Sequence, residues 1–163
     1  VHDGEVITTP FSFVATGHAI SWAGAAPVFA DIHPQTLNLD PVQAERQITP
    51  QTRAIMPVHT FGTPCDVAAF EEISQRHGIP IIYDAAHAFA VSDKTGSALK
   101  WGRMSVLSVH ATKLFNTFEA GAAIGQDTEN KYAADNSCNF VTPQDAHADT
   151  DVVTAHTTDT KDD

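Results

Sequence analysis

The chain has 163 residues, 42% of them hydrophobic, and a formal net charge of −11 from 20 acidic and 9 basic side chains. That length suits one domain with a real core. The acidic surplus excludes nucleic acid and anionic membranes as main partners, because both are recognised by basic surface.

The two cysteines, Cys65 and Cys138, have no paired spacing, so neither a disulfide framework nor a zinc site is expected and a cytoplasmic setting fits. No charged leader opens the chain and no apolar run is long enough to span a bilayer, so the protein reads as soluble. Val1 stands directly before a strand-like segment in place of a Met, which implies further sequence upstream.

In chain order, the first predicted strand is Glu5 to Thr9, followed by Pro27 to Ile32. Asp40 caps a helix with Pro41 at its first position and Gln43 reaching back. A third strand, Arg53 to Val58, leads to Thr63-Pro64-Cys65-Asp66, which is expected to cap a helix in the same way, and that helix stops at Gly78. Further strands follow at Ile79 to Tyr83, Ser105 to Val109 and Ala122 to Gly125. All six read as buried on both faces, the pattern of a parallel sheet covered by crossover helices.

Residues 1–126 form that α/β unit, and residues 127–163 read as an acidic, disordered tail. From residue 126 onward nine acidic groups face two lysines, a net of −7, and beyond Gln144 the only large aliphatic residues are Val152 and Val153. Such a composition cannot offset the entropy of ordering. His147 and His156 in that tail read as solvated side chains, and no metal site is expected.

Right-handed crossovers bring the carboxyl ends of parallel strands to one edge, where ligands of open α/β sheets bind. Thr8-Thr9-Pro10, His59, Asp84 with His87, and Ser108 through Lys113 each follow an apolar run and are expected to line one crevice. Asp84 and Lys113 are the pair that pyridoxal phosphate chemistry needs. An amine forms a Schiff base with the cofactor aldehyde, and a carboxylate keeps the pyridine nitrogen protonated so that the ring accepts electrons. The hydroxyls of Ser108 and Thr112 are candidates for holding a phosphate. Each residue also has a plainer reading: Asp84 as a helix N-cap, Lys113 as a solvated lysine, His87 as a helix-face histidine. A third alternative, an unrelated α/β nucleotide-binding domain, would call for a glycine-rich phosphate loop, and no GxGxxG or GxxxxGK[ST] pattern occurs.

The runs Glu5-Val6-Ile7-Thr8-Thr9-Pro10-Phe11-Ser12-Phe13-Val14-Ala15-Thr16, Pro57-Val58-His59, Asp84-Ala85-Ala86-His87 and Ser108-Val109-His110-Ala111-Thr112-Lys113 occur in one order. Over about residues 3–126 the chain resembles the DegT/DnrJ/EryC1/StrS aminotransferases. The resemblance implies an incomplete large domain of the three-layer, fold-type-I pyridoxal phosphate transferases, a mostly parallel sheet with flanking helices. It implies Lys113 as the residue that carries the cofactor, Asp84 at the pyridine nitrogen, His87 beside the ring hydroxyl, Ser108 at the phosphate and Phe13 stacked on the ring. By itself Phe13 reads as a core residue of the helix that follows. Ala120 stands where the family has a glycine after the lysine. The implied activity is transfer of an amino group from an amino acid, glutamate by expectation, to a nucleotide-linked keto sugar in deoxyamino sugar biosynthesis, by a homodimer. An inactive fragment or pseudoenzyme of the same family is the alternative.

Overall fold

The computed structural model describes residues 3–94, 96–118, 120–125 and 140–141. The tail assigned to residues 127–163 therefore lies outside the described residues, except for two strand positions. In chain order the elements are β1 (Glu5–Thr8), α1 (Val14–Trp22), β2 (Ala26–Phe29), α2 (Pro41–Arg46), β3 (Thr52–Ile55), α3 (Val67–His77), β4 (Ile82–Asp84), β5 (Ser92–Asp93), β6 (Gly96–Ser97), β7 (Met104–Ser108), β8 (Gly121–Gly125) and β9 (Phe140–Val141).

β1 lies between β2 and β3, parallel to both. β4 pairs parallel with β7, whose other neighbour is β8. Parallel bridges at Ile55–Ile81 and Val58–Asp84 join the two sets, giving the order β2-β1-β3-β4-β7-β8-β9. The sheet is mostly parallel, but β8 runs antiparallel to β7.

Alternation along the strands sorts side chains onto two faces. Ile7, Ile55, Ile81 and Tyr83 pack with Phe70 and Ile73 of α3, Ala44 of α2 and Leu39. Val6 and Ala54 point the other way and pack with Ile20 of α1. α1 thus covers one face while α2 and α3 cover the other, making three layers.

The expectation that every strand is buried on both faces is corrected at β2 and β7. Ala26 and Phe29 of β2 are exposed, as suits an edge strand whose Pro27 has no N–H to donate. β7 alternates, with Ser105 and Leu107 buried and Val106 exposed. The turn before β7 is tight: a Cβ on Gly102, which has φ +70°, would lie 2.8 Å from the Ile81 carbonyl and 2.9 Å from the Tyr83 ring. That close approach helps hold β4 beside β7.

The ends of α2 and α3 follow their capping residues with two corrections. Asp40 accepts from the backbone N–H groups of Val42 and Gln43, but Gln43 does not reach back; its side chain accepts from Arg46 instead. α3 starts at Val67, so its cap is Asp66, the last residue of the Thr63-Pro64-Cys65-Asp66 run and not the first; it accepts from Ala69 N at 3.1 Å, and α3 ends at Gly78 in the left-handed region. Asp66→Ala is expected to lower stability by about 1 kcal/mol, read as a lower denaturant midpoint at unchanged m-value. Among the described residues no helix is long and apolar enough to cross a membrane.

Candidate active site

The carboxyl ends of β1, β3, β4 and β7 open on a cleft of about 840 Å³. Phe13, Asp84, His87, Ser108 and Lys113, the five residues to which the resemblance gives a role, all line it, as does Thr112. Thr8 and Thr9 are buried and are not among the lining residues; Pro10 and His59 are. The adjacency of β4 and β7 explains how residues 29 positions apart in sequence meet: Asp84 pairs with Val106, and the chain then runs through Ser108 to the turn that holds Lys113.

Asp84 closes β4, and its backbone is bonded on the β3 side, accepting from His59 N at 3.0 Å and donating to Pro57 O at 2.9 Å. Its carboxylate accepts from Ala86 N through Oδ1 at 3.1 Å and from Thr16 Oγ1 through Oδ2 at 2.7 Å. Residues 86–87 and 89–90 form turns and none of 85–90 is helical, so the helix-cap reading of Asp84 and the helix-face reading of His87 are both corrected. The carboxylate of Asp84 engages α1 as well as its own turn.

His87 lies near Lys113 and Asp84, and its pKa is lowered from the ordinary histidine value by burial and by the Lys113 cation, with Asp84 acting the other way. Its ring lies nearly parallel to that of Phe61, with centroids 6.2 Å apart. Lys113 is half-buried. Its backbone N–H closes the turn onto His110 O at 2.8 Å, and among the described residues no hydrogen bond or ion pair engages its amine. Ser108 accepts from His110 N at 3.3 Å, which leaves its own hydroxyl hydrogen uncommitted among the described residues.

Phe13 is 75% exposed at the N-cap position of α1, which corrects its reading as a core residue. Its ring is an open wall of the cleft. Beside it stand Phe11 and Phe61, edge to face at 6.3 Å. Phe61 has φ +52°, uncommon for a residue with a Cβ. Buried Asn38 holds that turn: its Oδ1 accepts from Thr60 N, and its Nδ2 donates to the carbonyls of Thr63 and Pro64. Asn38 had no signal in the sequence beyond its polar side chain, because its side-chain partners lie more than twenty residues away, and nothing in the run that ends at Thr16 points to Asp84, 68 residues on.

A family model described as the DegT/DnrJ/EryC1/StrS aminotransferase family matches residues 1–153, running past residue 126 where the motif resemblance ends. The dTDP-4-amino-4,6-dideoxy-D-glucose transaminase of Shigella dysenteriae is 56% identical over 137 residues, 84% of this chain and 37% of that protein. Among solved structures, DesI in the presence of its TDP-sugar product superposes with a TM-score of 0.76 at 42% identity, over 78% of this chain and 33% of that one. NtdA from Bacillus subtilis with bound cofactor PMP gives a TM-score of 0.68 at 34% identity, over 74% of this chain and 27% of that one. The chain spans about a third of the length of these proteins.

Proposed function

The chain belongs to the DegT/DnrJ/EryC1/StrS aminotransferase family, and from that premise we propose that it binds pyridoxal phosphate in the cleft and transfers an amino group from glutamate to a nucleotide-linked keto sugar. The described residues have the fold-type-I α/β architecture of pyridoxal phosphate aminotransferases. The observation that carries the proposal is the meeting of Asp84 and Lys113 in one cleft at the ends of neighbouring strands.

The residues present fit the cofactor. A carboxylate, an amine free of other partners among the described residues, a hydroxyl with an uncommitted hydrogen and an exposed aromatic ring all face the same space. The chemistry such a group supplies when bound is that of an electron sink. Lys113 would hold it covalently, and Asp84, with one donor on each oxygen, has lone pairs left to accept from the ring nitrogen. Ser108 would donate to the phosphate, and Phe13 would lie against the ring, a contact worth about 0.5–1.5 kcal/mol beyond burial. Partial desolvation and the Lys113 cation lower the His87 pKa, which disfavours the charged ring that would compete with the cofactor for Asp84.

Catalysis by the chain's own groups then centres on Lys113. Once the donor's amine has taken its place, the freed Nζ is the base at the cleft that can take the donor's α-proton and return it. The relative named for dTDP-4-amino-4,6-dideoxy-D-glucose supports a dTDP-linked sugar aminated at carbon 4 as the amino-sugar partner. A cytoplasmic homodimer is part of the same proposal.

Mixing the chain with pyridoxal phosphate, reducing with borohydride and mapping the peptides tests the assignment. A pyridoxyl group confined to Lys113 supports it; a label on another lysine, or none on a folded chain, overturns it. Asp84→Ala should weaken cofactor binding about tenfold or more, since hydrogen bonds to charged groups are worth about 1.5–3 kcal/mol, as read in an absorbance titration.

A further inference from the structure

We propose that Thr16 is a positioning residue whose hydroxyl sets the orientation of the Asp84 carboxylate, and that Ser12 fixes Thr16 in turn. The inference rests on the cofactor-binding reading above and adds to it a support for Asp84 from a different element.

Thr16 is buried in the first turn of α1, 68 residues from Asp84. Its Oγ1 lies 2.7 Å from Asp84 Oδ2. A carboxylate accepts, so the hydrogen between them is the threonine's own. Thr16 has no second hydroxyl hydrogen, and Ser12 must therefore be the donor across the 2.6 Å between Ser12 Oγ and Thr16 Oγ1. The direction of the chain follows: Ser12 to Thr16 to Asp84. A β-branched side chain is stiff at χ1, which makes threonine a better fixed donor than a longer, looser one.

Asp84 Oδ1 is held from its own turn by Ala86 N, and Oδ2 from α1 by Thr16, so the carboxylate plane is pinned at two points on two elements. Without the second point the carboxylate can rotate about χ2, a broad torsion that packing alone does not define. A misaligned acceptor loses most of a hydrogen bond's strength. Thr16 also ties α1 to the sheet, a purely structural role that would alter stability and leave the bound cofactor unaltered.

The experiment compares the parent chain with Thr16→Val, which keeps the shape and removes the hydroxyl, and Thr16→Ser, which keeps the hydroxyl. Pyridoxal phosphate is the probe. Thr16→Val should bind it about tenfold more weakly and shift the pH at which the band of the lysine-bound cofactor changes; Thr16→Ser should restore both. Ser12→Ala should move them in the same direction by less, and it reports if Thr16→Val does not fold. In the chain without cofactor, the Ala86 amide proton should change its chemical shift and exchange faster in Thr16→Val. Parent-like binding, band and Ala86 amide in Thr16→Val, or in Ser12→Ala where that variant must stand in for it, would reduce Thr16 to a helix anchor and overturn the proposal. A parent chain that forms no adduct at Lys113 sinks the functional reading alone, because the Ala86 amide still reports on Asp84.

Discussion

Lys113→Ala should leave no pyridoxyl group on the chain after borohydride reduction, whereas the parent carries it at this one position. The reason is placement. Of the lysines among the described residues, Lys94 does not line the cleft, and Lys100 sits over the Trp101 ring with its ammonium 5.0 Å from the centroid. Lys113 alone of these faces the cleft, with Asp84, Ser108 and Phe13 around the same space. A solvated surface lysine would label weakly and unselectively, so a selective label that disappears in Lys113→Ala separates a built site from random reaction. The same substitution has a second readout that needs no cofactor. The Lys113 cation helps to hold the His87 imidazole below its ordinary pKa. Removing it should raise the His87 titration midpoint in a proton NMR titration, while the larger effect of burial persists. An unchanged His87 midpoint would mean that the two side chains do not share the cleft as described.

The strands that build this site were legible because each ends in a polar residue after a short apolar run, and Asp84 and Lys113 are expected together once a parallel sheet is assumed. The sheet's edges were not legible. Strand periodicity says that a run is apolar, but neighbours decide whether both faces are covered, and β2 with its exposed Phe29 has a neighbour on one side only among the described residues. Pro27 was the available sign of an edge. The antiparallel course of β8 is set by the connection from Val109 to Ala120, where Val109 N donates to Ala120 O and Ala111 N to Phe118 O. Asp84-Ala85-Ala86-His87 has good helix-starting composition, yet its aspartate spends one oxygen on Thr16 of α1. Local propensity could not reveal that partner, since it comes from the other end of the described chain.

His59→Asn should flatten the loss of stability that the parent chain suffers in acid. His59 is fully buried, stacked on Tyr83 with centroids 4.8 Å apart and planes 9° from parallel. Its Nδ1 accepts from Cys65 N at 3.0 Å, so the neutral ring carries its proton on Nε2, which lies near the Ala98 backbone but makes no hydrogen bond of normal geometry among the described residues. Burial pushes the His59 pKa down from 6.5 to about 4, with the nearby Ala98 backbone and Asp84 offsetting part of that. Protonation would also put a hydrogen on Nδ1 against the Cys65 N–H and leave that buried amide unpaired. Because the folded value is below the unfolded one, the unfolded chain binds more protons between pH 6.5 and 4. The contribution of neutral His59 is complete above pH 6.5 and declines as pH falls through that window, by about 1.4 kcal/mol per unit and about 3 kcal/mol in all. That is a large share of the 5–15 kcal/mol that typically separates folded from unfolded states. Asparagine can accept from Cys65 N and does not titrate, so His59→Asn is expected to be less stable at neutral pH but to lose less on acidification. Urea denaturation from pH 7 to 4.5 measures both proteins, and their difference removes the carboxylates and His87, which titrate in each. Parallel profiles would show that His59 is protonated without strain in the folded chain, and the buried, neutral imidazole under the cleft would have to be abandoned.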